Sequence, residues 1–108
     1  MNIDDIEYPP MPNLPEGWRR KAACWDKGTE IFYIEGAGGG MHYQEARKIC
    51  AVCTVKQECL IECAVFEHSR YEYQGYRGGM SPYQRVQWLP TNRKRLLALG
   101  GISVEDAA

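Results

Sequence analysis

Four cysteines spaced Cys24…Cys50-x2-Cys53-x5-Cys59 constrain this chain more than any other feature. Cys50 and Cys53 close one tight turn, Cys59 follows within two helical turns, and Cys24 comes from far upstream. Such a pattern lets a local clip supply most of the thiolates around a compact centre while a distant segment closes the cage. On spacing alone, four thiolates suit an iron–sulfur cluster or a structural zinc equally well. A fifth cysteine, Cys63, leaves the ligand set open, although its place four residues after Cys59 also suits a small buried side chain.

A staple is what a chain of this size needs. Its 108 residues fit one small domain with tails, and eleven glycines and six prolines shorten its regular elements. Apolar burial alone rarely stabilises so small a core. The N-terminus carries Asp4, Asp5 and Glu7 without a basic start or an apolar run, so no secretory signal is read there. No stretch approaches the roughly 20 apolar residues that span a bilayer. The expected compartment is the cytoplasm, where clustered thiols stay reduced and bind metal more often than they form disulfides.

Charge is near balance overall but unevenly placed. Residues 1–16 hold four acids and no base, whereas residues 85–95 hold Arg85, Arg93, Lys94 and Arg95 and no acid. Arg93, Lys94 and Arg95 are candidate contacts to a phosphate backbone, or simply a solvated helix end.

The expected fold is mostly α: a leader over residues 1–15 kept disordered by its prolines, a helical domain over 16–90, and a basic helical segment with a flexible tail over 91–108. Trp18 to Cys24 suits one or two helical turns, and Glu30 to Ile34 a strand or a turn. Gly36 to Gly40 lacks the ending of a phosphate loop and reads as a spacer. A helix is expected over His42 to Cys50, with Ala46 and Ile49 inward and Arg47 and Lys48 outward. Another is expected over Val55 to Glu67, capped by Thr54 with Gln57. Ser81-Pro82 should start a third, reaching Leu89 before Pro90 interrupts it, with a short helix from Arg93 to Leu99. His42 and His68 are read as surface or loop residues, and Trp88 and Leu89 as core.

These residues together resemble the WhiB-like proteins, small iron–sulfur regulators. The matching pieces are Trp18 six residues before Cys24, then Asp26, the pair Phe32-Tyr33, Cys50-x2-Cys53-x5-Cys59-Leu60, and Gly-x-x-Gly-Gly-Met-Ser…Arg from Gly75 to Arg85. The resemblance implies a [4Fe–4S] cluster held by Cys24, Cys50, Cys53 and Cys59 inside a helical fold. It also implies docking onto region 4 of the primary sigma factor of RNA polymerase, with Trp18, Phe32, Tyr33, Tyr76, Gly78 and Gly79 as the matching positions. Promoter DNA would be reached by Arg93, Lys94 and Arg95. The chain departs from the family's turn, Gly-Val/Ile-Trp-Gly-Gly, by placing Tyr76 and Arg77 at its two middle positions.

The function expected from this likeness is regulation of transcription rather than catalysis, with the cluster sensing redox state or nitric oxide. The protein would be a monomer until it pairs with the sigma factor. Two other classes are a zinc-stabilised nucleic-acid-binding module and a thiol–disulfide reductase using Cys50 and Cys53. The reductase reading asks for a strand–turn–helix setting that the sequence does not show.

Overall fold

Ala46 and Cys50 fall one turn apart and both are buried, while Gln44, Glu45, Arg47 and Lys48 face solvent, so the first helix forms as an amphipathic element. This is α1, Gln44–Ala51. A short turn carrying Cys53 leads into α2, Lys56–Phe66. The computed structural model describes residues 11–28, 30–33, 43–68 and 72–103. Within them, a 3₁₀ helix over Trp18–Lys21 precedes α1, and α3, Pro82–Leu99, closes the order. There is no strand among the described residues, so the mostly helical expectation holds and Glu30 to Phe32 forms a turn. Gly36 to Gly40 and His42 lie outside the described residues. No described helix is long and apolar enough to cross a membrane.

Two small cores hold the elements together. Ile61, Cys63, Ala64 and Val65 of α2 pack with Leu89, Leu96 and Leu97 of α3, together with Tyr73 and Ile102. A second core joins Phe32, Tyr43, Ala46, Cys50 and Tyr76, with the Tyr43 and Tyr76 rings 5.5 Å apart. Residues 11–15 are non-helical, as their prolines require, but they are held in place. The Asn13 N–H donates to Gly100 O at 2.7 Å, and Leu14 packs against the first core.

Ser81 caps α3 as expected. Its Oγ accepts from Gln84 N, and the Gln84 side chain returns a bond from Ser81 N–H. The Thr54–Gln57 box does not form, because α2 starts one residue later: Val55 is the N-cap and is buried, while Thr54 is exposed. Pro90 does not end α3 either. A mid-helix proline costs about 3 kcal/mol, yet Arg85, Leu89, Leu96 and Leu97 are buried on both sides of it, so a single buried face continues past the proline.

Candidate metal centre

Against the second core lies a cavity of about 400 Å³ whose wall includes Cys24, Cys50, Cys53 and Cys59. Each thiol arrives on a different local structure. Cys24 sits in the turn after the 3₁₀ helix, Cys50 on the last turn of α1, Cys53 in the α1–α2 connection and Cys59 on the first turns of α2. All five cysteines are free thiols, and Cys63 lies behind Cys59, fully buried in the first core and off the cavity wall.

The thiols share one electrostatic environment. Burial pushes the Cys24 thiol up, and the negative charge of Cys59 and then Cys53 adds to this. Burial pushes Cys50 up to about 11, partly offset by a hydrogen bond from the Gly79 backbone. Cys59 shifts the other way. The Cys63 thiol donates to its sulfur, and Arg77 with the Gly78 N–H also favours the thiolate, so Cys59 is held below the ordinary thiol range despite its burial. The same hydrogen bond, together with burial, pushes Cys63 up. Cys63 is thus both the small core residue expected and a donor to a candidate ligand.

The glycine turn lies directly over these sulfurs. Gly78 has φ +60° and Gly79 has φ +83°, which only glycine adopts at low cost. At Gly78 a Cβ would meet Leu60 Cδ2 at 2.4 Å, so the turn also sits tightly against α2. Substituting Gly78→Ala adds strain and a clash, and is expected to cost about 2–4 kcal/mol. Gly79→Ala, whose Cβ meets nothing closer than Lys56 Cδ at 3.5 Å, should cost about 1–2 kcal/mol. Urea denaturation of the two variants checks the order.

Arg85 holds this turn from behind, a role the sequence pattern did not disclose. In sequence it belongs to the basic run, but it is fully buried. Its Nε and Nη2 donate to the two Glu67 carboxylate oxygens at 2.8 Å. Nη1 donates to Gly75 O and Met80 O, and Nη2 to Gln74 O, all at 2.8 Å. All five guanidinium donors are therefore used, and both ends of the turn hang on one side chain. The only signal in the sequence was the fixed place of this arginine after the glycines.

The expected surface aromatics divide into two sets. Phe32 and Tyr76 are buried in the second core; Tyr76 N–H donates to Phe32 O at 2.7 Å and its hydroxyl to Gly79 O at 2.9 Å. Trp18 is half-buried and Tyr33 is 51% exposed, both on the cavity rim, where an unanticipated neighbour, Trp25, is 58% exposed. The expected DNA contacts also divide. Arg93 is half-buried and donates to Ala64 O at 2.7 Å and to the Tyr73 hydroxyl at 3.0 Å, which ties α3 to α2. Lys94 and Arg95 are exposed. Among the two histidines, His68 is exposed, with Nε2 2.7 Å from Val65 O.

Among the described residues, no group of three or more His, Cys, Asp or Glu side chains is gathered to hold a single metal ion. One zinc with sulfurs at about 2.3 Å needs those sulfurs within about 4 Å of one another. A cluster instead gives each thiolate its own iron and sets them further apart. Four thiols on one cavity wall are a soft donor set of the kind that holds zinc or an iron–sulfur cluster. Residues 18–88 match the protein family described as Transcription factor WhiB.

The chain belongs to the WhiB family. It is 40% identical over 70 residues to Transcriptional regulator WhiB1 of Bifidobacterium longum (strain NCC 2705), covering 63% of this chain and 72% of that one. Against Transcriptional regulator WhiB2 of the same organism, identity is 31% over 101 residues, 86% of this chain and 95% of the other. Transcriptional regulator WhiB of Streptomyces coelicolor is 36% identical over 69 residues, 64% of this chain and 71% of its own. WhiB membership accords with reading the chain as a regulator and not an enzyme. The matched span contains the four thiols, the glycine turn and Arg85.

Proposed function

We propose that this WhiB-family transcriptional regulator holds a [4Fe–4S] cluster on Cys24, Cys50, Cys53 and Cys59. With it in place, the protein docks on region 4 of the primary sigma factor and touches promoter DNA from α3, all in the cytoplasm. The observation that carries this reading is the convergence of the four thiols on one cavity. When bound, the cluster would supply a redox-sensitive staple that oxygen or nitric oxide can dismantle.

The chain's own residues perform the rest. The Gly78 amide adds to the lowering at Cys59, whereas at Cys50 the Gly79 amide offsets only part of the cost that burial places on the thiolate. Cys24 ties the 3₁₀ helix to α1 and α2 through the shared centre, which fixes Trp18, Trp25 and Tyr33 on one rim for a partner. Phe32 and Tyr76 support that rim from the second core. Once the thiolates are released, disulfides between distant cysteines are expected before one joining Cys59 to Cys63, which share a helix turn.

Lys94 and Arg95 are the exposed cations available to DNA, whereas Arg93 is engaged in holding α2. The test is size-exclusion analysis of anaerobically prepared protein with a sigma region 4 fragment, followed by DNA binding of the complex. A 1:1 complex is expected. Lys94→Gln with Arg95→Gln should weaken DNA binding for all sequences and reduce the salt slope by about 2. Separate elution of the two proteins would refute the docking, and an unchanged salt slope would remove the DNA role of α3.

A further inference from the structure

The described charges around the thiol cavity are mostly positive. Among the described residues, Arg19, Lys27, Lys56 and Arg77 line the wall together with one carboxylate, Glu62. Glu62 sits on α2 and is 9% exposed. Arg77 Nη2 donates to its Oε1 at 2.5 Å, and Arg19 Nη2 donates to its Oε2. The Arg19 guanidinium also lies over the Trp18 ring, 4.9 Å from its centre. One buried carboxylate therefore aims two guanidiniums, and Arg77 is the more enclosed, with its side chain 22% exposed against 59% for Arg19.

We infer that Arg77, aimed by Glu62, is a positioning residue that sets the reduction potential of the centre held by the four thiols. This inference rests on the cluster reading proposed above. A cube ligated by four thiolates carries a net charge of about −2 when oxidised and about −3 after taking one electron. A fixed cation beside it in a poorly solvated wall favours the more negative state, because Coulomb interactions strengthen as the local dielectric falls. Arginine keeps its charge at every accessible pH, so its contribution is constant. Glu62 opposes this effect through its charge and supports it through its geometry.

The test is a mediated dithionite titration of the anaerobic protein, following absorbance; dithionite supplies the one electron, and no bond forms or breaks. Arg77→Met should lower the midpoint potential, and Glu62→Gln, which removes the opposing charge, should raise it. Arg77→Lys should stay nearer the parent protein than Arg77→Met does. Arg20→Gln, which removes an exposed cation outside the cavity wall, should leave the potential unmoved. If Arg77→Met does not fold, Arg77→Gln, which also removes the charge, and Glu62→Gln still decide the sign. Equal potentials in variants that all carry iron and sulfide would overturn the role of Arg77 and leave the cluster reading intact. A parent protein without iron or sulfide would overturn both.

Discussion

Replacing Arg85 with methionine is expected to cost about 3–5 kcal/mol of folding stability. That is the usual penalty for removing one partner of a buried ion pair, because Glu67 is left charged and unsolvated. Arg85 is fully buried and Glu67 is 4% exposed, so solvent screening reduces this little. The loss goes beyond the pair, since Gly75 O, Met80 O and Gln74 O lose their donor as well. The glycine turn would come loose, and with it the amides over Cys50 and Cys59. Denaturation in urea, monitored by circular dichroism, measures the cost. Arg85→Met combined with Glu67→Met should recover a substantial part of it, since an apolar pair leaves no orphan charge. A loss below about 1 kcal/mol in the single variant would show that the turn stands without its latch.

Cys53→Ala is expected to have the other large effect. In small domains with a structural centre, ligand binding and folding share one free energy, about 10 kcal/mol or more for structural zinc. Removing one of four thiolates should therefore abolish iron and sulfide retention, reduce the helical signal and prevent the complex with sigma region 4. The three readouts should fail together. A Cys53→Ala protein that keeps its fold and its partner would show that the two cores suffice and that the cavity is incidental to function.

The helices were legible because their signals are local. The Ser81-Pro82 start needs only a hydroxyl and a fixed φ, and the α1 pattern needs only a helical period, which places Ala46 inward as expected and Ile49 half-buried, with Cys50 the second buried residue. What was hidden depended on neighbours. Thr54 has the right chemistry for a cap, but the burial of Val55 moves the helix start by one residue. Pro90 is a breaker in isolation, yet Leu96 and Leu97 bury against α2 beyond it and keep α3 continuous.

Charges misled for the same reason. Arg85 and Arg93 look like members of a basic run, but each finds carbonyl acceptors brought near by the tertiary fold. Phe32 and Tyr33 are adjacent in sequence, and only the fold decides that one is core and the other rim. The four thiols were visible from spacing, and their convergence on one cavity is what spacing alone leaves open.

The most direct test of the central claim is anaerobic purification followed by an absorption spectrum and assay of iron, sulfide and zinc. The account predicts a brown protein absorbing broadly near about 410 nm, with about four iron and four sulfide per chain. A colourless protein with about one zinc and no sulfide would contradict it, and would leave a zinc-stapled member of the family without a redox-sensitive centre.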